Sequence, residues 1–398
     1  MITNTLILVP FNNPLDWPAD YLLQTCSTLS SHGNRVFAFL WEDARSLREI
    51  LSLLVFRKRR FRLLHRKDNV LFFTPIHFLP FRRFRIVRTV NLFVNVFLMK
   101  LFFFLFFRAH KRILWVFSPE FYQLPKFFGR SFLSLYDCVD YFSSPKRSLH
   151  KRLRVQEERL VQACDTMVVN SRALFEKFTK KRSHIAVVPL GFALPLFPSF
   201  KKIGRSSLPF PVDKPIIGYV GGINYRLDFR LLNELVEYSD DYYFVFIGSK
   251  ESEREDSYAE TKGQFEKLFS HHYVFWVDSL PKEKIPAFID YFDVALIPYS
   301  IHLEFNRYCY PMKLFEYFYL QKPVVATPIQ ELTRLQPLVR IGSNATAFRQ
   351  HIQHILKGGW PKELQRRQRR LAIDNSWEKK IEAISTVLEQ HPIFQELV

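Results

Sequence analysis

The sequence predicts an α/β protein of two Rossmann-like, doubly wound parallel-sheet domains facing a cleft. Short apolar runs rich in Val, Ile, Leu and Phe alternate with longer amphipathic stretches along most of the chain. That alternation is the pattern of parallel sheets covered by helices on both faces. It comes as two series, separated by a Pro-rich stretch, 195–211, which carries Lys201, Lys202 and Gly204 and reads as a hinge.

The first series opens at 5–9. The residues before it form neither a basic leader nor a long apolar run, so they read as the lead into a first strand and not as a signal peptide. Further strands are expected over 35–40, 70–73, 112–117, 132–136, 166–169 and 185–188, with amphipathic helices over 19–31, 148–164 and 172–181. The segment 90–107 approaches the ~20 residues that span a bilayer. It carries Asn91, Asn95 and Lys100 inside it, and both of its flanks are basic. A lysine at the bilayer centre is costly, so a domain helix with one face in a membrane surface is expected in place of a span. The second series places strands at 216–220, 243–247, 274–277, 294–298 and 324–327, and helices at 228–238, 282–291 and 312–320. The division that follows is a domain over 1–195, a domain over 196–375, and a last helix over 376–398 packing back toward the first domain.

Composition narrows the class. At 48% apolar and 24% charged residues the chain is globular and not disordered. Cys26, Cys138, Cys164 and Cys309 are far apart in sequence with no Cys-x-x-Cys pair, which argues against disulfides or a thiolate metal site and fits a reducing, cytoplasmic setting. Charge is uneven: residues 1–200 hold 31 Lys/Arg against 13 Asp/Glu, and so carry +18 of the net +19. The densest clusters are Arg57-Lys58-Arg59-Arg60-Phe61-Arg62 with Arg66-Lys67, and Arg82-Arg83-Phe84-Arg85 with Arg88. Such clusters seek an anionic surface at roughly 1 kcal/mol per basic residue at a lipid headgroup layer. Nucleic acid is the rival partner.

Two stretches carry chemistry. In Tyr219-Val220-Gly221-Gly222-Ile223-Asn224-Tyr225-Arg226 a strand ends in two glycines followed by an arginine. Glycine admits a phosphate close to the backbone, and Arg226 can pair with its charge, although a plain tight turn fits equally well. In Pro311-Met312-Lys313-Leu314-Phe315-Glu316 a helix begins with Pro311, Lys313 adds a cation, and Glu316 stands one turn on, where it can accept hydrogen bonds from sugar hydroxyls.

The stretch Pro-Met-Lys-Leu-Phe-Glu-Tyr-Phe, followed by Lys322-Pro323-Val324-Val325-Ala326-Thr327, resembles the carboxyl-domain signature of GT-B-fold glycosyltransferases, nearest to the group-1, family-four branch that includes teichuronic-acid-type enzymes. Leu135 to Asp140, Ala163 to Ser171, Val187 to Gly191, Asp293 to Tyr299 and Asn375-Ser376-Trp377 are similar to that branch in the same order, so the resemblance covers roughly 130–385. It implies a nucleotide-sugar donor, UDP- or GDP-linked, held by the second domain: the diphosphate near Gly221, Gly222, Arg226, Pro311 and Lys313, the ribose on Glu316, and the base against Trp276 to Leu280. The sequence departs from the pattern at Tyr308, where the first of two paired glutamates is usual, and at Gln321, where a glycine is usual.

The resemblance further implies an acceptor on the first domain, lipid-linked or polysaccharide, and envelope glycan synthesis with retention of configuration. No Asp-x-Asp triad is present, so a metal-independent reaction without a cofactor is expected, with cations doing the work of a metal ion. Asp140 is the candidate for orienting or deprotonating the acceptor, with Glu120 second. The expected location is the cytoplasmic face of the cell membrane, peripherally bound. Two other readings remain open on the residues: a GT-B-fold nucleotide-sugar epimerase, and a non-enzymatic basic protein binding membrane or nucleic acid.

Overall fold

The computed structural model describes residues 1–11, 20–41, 45–46, 64–67, 69–81, 84–108, 110–142, 147–182, 184–237, 239–250 and 258–397. The basic run 57–62, most of the stretch 56–64 and the pair Arg82-Arg83 lie outside the described residues. The chain divides into two units, Met1–Pro189 with Trp377–Val398, and Leu190–Ser376.

In unit 1 the strands are Thr5–Phe11 (β1), Arg35–Leu40 (β2), Arg45–Ser46 (β3), Leu64–Lys67 (β4), Val70–Phe73 (β5), Ile76–His77 (β6), Lys111–Val116 (β7), Leu133–Cys138 (β8), Thr166–Val169 (β9) and Ile185–Val187 (β10). Eight of them form one sheet in the order β10-β9-β8-β7-β1-β2-β5-β4. All neighbours pair in parallel except β4 and β5. β1, β8 and β9 are buried along their whole lengths, as strands covered on both faces must be. β4 reads Leu64-His65-Arg66-Lys67 and is an antiparallel edge, where charge is a common device against further pairing.

The helix Arg85–Phe106 has two apolar faces. Leu92, Val96, Met99 and Phe103 are buried, while Ile86, Val90, Phe93, Phe97, Leu101 and Phe104 are exposed. Its polar residues serve the protein side. The Asn95 amide group exchanges hydrogen bonds with the backbone N–H and C=O of Ile76 at 2.9 and 2.8 Å, and Asn91 does the same with Leu79 at 2.9 and 3.0 Å. Lys100 donates to the Phe128 carbonyl at 3.3 Å. By length and composition the segment Ile86–Phe106 could cross a membrane, and one third of it is buried in the protein.

The helix Trp377–Glu389 belongs to unit 1. Lys380 Nζ lies 2.9 Å from the Asp137 carboxylate of β8, both side chains are essentially inaccessible, and Trp115 Nε1 of β7 donates to the same carboxylate at 3.2 Å. A charge this deep is tolerated only when paired and hydrogen-bonded.

Unit 2 has Ile216–Val220 (β11), Tyr243–Ile247 (β12), Val274–Val277 (β13), Val294–Ile297 (β14), Val324–Ala326 (β15) and Val339–Ile341 (β16), ordered β13-β12-β11-β14-β15-β16 and parallel throughout. The boundary falls earlier than 195. Phe192, Phe197 and Phe210 are buried in the unit 2 core, so most of the Pro-rich stretch packs as part of that unit and the chain divides before it. All four cysteines are free and buried.

Candidate functional site in unit 2

Strand order in unit 2 reverses between β11 and β14, and in open α/β sheets ligands bind at the carboxyl ends of the strands flanking such a switch point. Gly221-Gly222 follows β11 and Tyr299 follows β14. Backbone bonds tie the two loops together: Asp228 N–H donates to Pro298 O and Ser300 N–H to Arg226 O, each at 2.8 Å.

Arg226 is fixed in place. Its Nε donates to Oδ1 of the fully buried Asn306 at 3.1 Å, and Asn306 Nδ2 returns a bond to the Arg226 carbonyl at 2.9 Å. The guanidinium lies over the Phe305 and Tyr299 rings, 4.4 and 4.7 Å from their centres. Lys313 opens the helix Lys313–Tyr319, and its Nζ sits 3.8 Å from the Tyr219 ring centre and 5.0 Å from that of Tyr299. Two cations therefore face one tyrosine. Burial holds the Lys313 ammonium below the ordinary lysine range and the Arg226 charge adds to that shift, while the Tyr299 hydroxyl and, more weakly, Glu316 work against it. A site that draws two cations onto one ring gains when an anion enters it.

The glycines act through space more than through their amides. Gly221 has φ +134°, and a Cβ there would stand 2.4 Å from Lys313 Nζ. Its N–H is spent on Ile247 O at 2.8 Å. Gly222 is exposed, and its carbonyl accepts from the Tyr219 hydroxyl at 3.0 Å. At the helix start Pro311 has no N–H, and those of Leu314 and Phe315 bond to the Pro311 and Met312 carbonyls. Glu316 is half-buried in the first turn. Trp276, 43% exposed at the end of β13, donates from Nε1 to Gly248 O at 2.9 Å and presents a flat apolar surface of the kind a base stacks on.

Sequence reasoning named the cations and missed what shapes them: Tyr219, Tyr299 and Asn306. Tyrosines beside strand ends look like ordinary core in a strand buried along its whole length. Asp140 lies just past β8 in unit 1, half-buried, and its carbonyl accepts a bond from the Cys138 thiol at 3.3 Å. Among the described residues no group of three or more His, Cys, Asp or Glu could hold a metal ion.

No family model matches the chain. TuaH of Bacillus subtilis (strain 168), a glycosyltransferase assigned by name to teichuronic acid biosynthesis, is 25% identical over 214 residues, 51% of this chain and 52% of TuaH. The match thus spans about half the length of that relative. Among solved structures, sucrose-phosphate synthase from Thermosynechococcus elongatus superposes with a TM-score of 0.72 at 15% identity, over 97% of this chain and 98% of that one. HepE from Anabaena, solved with UDP, gives 0.70 at 12% identity, over 97% and 99%. The chain thus has the GT-B fold of two Rossmann-like units and, over its matched half, sequence likeness to the glycosyltransferase TuaH.

Proposed function

We propose that the protein is a glycosyltransferase that moves a hexosyl group from a UDP- or GDP-linked donor to a lipid-linked or polysaccharide acceptor in cell-envelope glycan synthesis. The observation that carries this reading is the pair Arg226 and Lys313, held on the shared Tyr299 ring at the switch point of unit 2. In the reaction the bond from the anomeric carbon to the diphosphate oxygen breaks and a bond to the acceptor oxygen forms. Negative charge grows on the departing diphosphate, and preorganised cations stabilise charge where it develops. Arg226, locked by Asn306, supplies a fork of donors, and Lys313 a point charge. Glu316 takes the ribose hydroxyls and Trp276 the base. HepE, solved in complex with UDP-glucose, supports the donor class. The two cations do the neutralising that a metal ion does elsewhere, and Asp140 orients or deprotonates the acceptor hydroxyl. Retention belongs to the proposal, as does peripheral attachment to the cytoplasmic face of the membrane. Attachment is supported by the outward apolar face of Arg85–Phe106 and the +18 carried by residues 1–200.

A thermal-shift panel of nucleoside diphosphates and nucleotide sugars tests the donor half, since a ligand that binds only the folded state raises the melting temperature by mass action. UDP or GDP and a matching nucleotide sugar should stabilise the protein, and Lys313→Ala and Glu316→Ala should lose most of that shift. No shift from any nucleotide would overturn the reading.

A further inference from the structure

Unit 1 holds a second concavity, of about 610 Å³, at the carboxyl edge of its sheet. Trp41 at its rim follows β2, Glu120 to Gln123 follow β7, and the helix Arg147–Ala163 follows β8. Four of its lining side chains are cationic, Arg88, Lys151, Arg152 and Arg159, against one carboxylate, Glu120. The Arg152 and Glu120 pair, 3.5 Å apart, is about half exposed and therefore weak. Arg159 sits 5.5 Å from the Tyr122 ring centre. Among the described residues, no carboxylate comes within ion-pair distance of Arg88, Lys151 or Arg159. Gln156 lines the same wall, and its buried Oε1 has no hydrogen-bond partner among the described residues.

A solvated helix face does not account for this arrangement. Arg152, Gln156 and Arg159 are spaced to share one face of their helix, yet Arg88 comes to the same cavity from a helix some sixty residues earlier. Charges converging from separate elements onto one open pocket repel each other, and an anion bound between them relieves that repulsion. Leu92, Phe121 and Val155 supply apolar wall, so the anion arrives attached to something larger than itself.

We propose that this pocket binds a phosphoryl group carried on a ring or chain: a phosphorylated carbohydrate, or the phosphate head of a polyprenyl-type lipid. Arginine forks match phosphate oxygens two at a time, and the Gln156 Oε1 can accept from a hydroxyl of the group that carries the phosphate. The inference deepens the acceptor half of the proposed reaction and rests on that reading for the pocket's use in it.

Titration calorimetry on the full chain with glucose 1-phosphate, geranyl phosphate and inorganic phosphate tests the site. At least one organic phosphate should bind more tightly than inorganic phosphate, whether or not UDP is present. Arg88→Ala with Arg159→Ala should weaken it about tenfold or more. Arg366→Ala, an exposed cation of unit 2, should leave it unchanged. Glucose 1-phosphate binding alone identifies a soluble source, geranyl phosphate binding alone a lipid one, and both support the pocket. Lys151→Gln, at an exposed position, gives a milder loss should the double variant fail to keep the native melting temperature. Absence of organic phosphate binding, affinity equal to that of inorganic phosphate (an adventitious ion only), or an equal loss in Arg366→Ala would overturn the proposal. UDP and GDP titrated alongside separate the two readings. Failure to bind either nucleotide with intact organic phosphate binding sinks the donor assignment and spares the pocket, and the reverse result does the opposite.

Discussion

At Lys313 the protein holds a cation partly out of water beside another cation, and both circumstances favour losing the proton. A bound diphosphate favours keeping it. Diphosphate affinity should therefore be full below the depressed Lys313 pKa and fall as the pH climbs through it, before the 10.5 at which an ordinary lysine would titrate. Lys313→Arg should bind with a flat profile over the same range, and Lys313→Met should lose about tenfold or more at pH 7. Identical profiles for wild type and Lys313→Met would remove Lys313 from the site. Glu157 is a second group out of its ordinary range: burial pushes its carboxyl up to about 7, against a hydrogen bond from the Tyr136 hydroxyl. Between the unfolded value near 4.5 and the folded value the native state holds the extra proton, so stability present below 4.5 is lost as the pH rises through about 7. Glu157→Gln should accordingly gain up to about 3 kcal/mol over wild type at pH 8 and little at pH 4.5, measured by denaturant unfolding. The sequence offered Arg226, Lys313 and Glu316 as candidates from charge after a strand and at a helix start, and the structure brings Arg226 and Lys313 together on the Tyr299 ring. Asn306 was not legible in the sequence, since nothing in a polar residue on a short helix announces that it will be buried against an arginine.

Among elements, the strands were readable wherever both faces are covered, because double burial demands an unbroken apolar run, as in Leu6-Ile7-Leu8-Val9. β4 and β16 escaped: one is a charged edge, and the other is only Val339-Arg340-Ile341. The helix Trp377–Glu389 shows how much a single buried contact can decide. Lys380→Met leaves Asp137 charged and buried with, among the described residues, the Trp115 indole as its side-chain partner, and should cost roughly 3–5 kcal/mol. Adding Asp137→Asn should restore a large part, because an amide needs no counter-ion. Chemical denaturation of the two variants decides this, and a double variant as unstable as the single one would mean that the ion pair is not what fixes the helix.

Across the whole molecule the excess charge and the exposed apolar helix face belong to the same half of the chain, and together they make the membrane testable as a partner. Wild-type protein should sediment with vesicles containing phosphatidylglycerol and much less with neutral ones. Replacing Phe93, Phe97 and Phe104 by Glu touches only half-exposed side chains, and should weaken that binding about a hundredfold or more without changing the melting temperature. Unaltered sedimentation of the triple variant would leave the face without that role. The sequence showed the charge asymmetry and the apolar segment, but which side of the helix faces outward depends on Asn91 and Asn95 finding backbone partners near residue 76. Unit 1 is also built from two stretches of chain with all of unit 2 threaded between them. During synthesis Asp137 leaves the ribosome 243 residues ahead of Lys380. At the usual pace of translation that is a wait of roughly 12–50 s. For that interval the nascent first lobe carries an anion with no mate, and a helix translated after the whole second lobe supplies it.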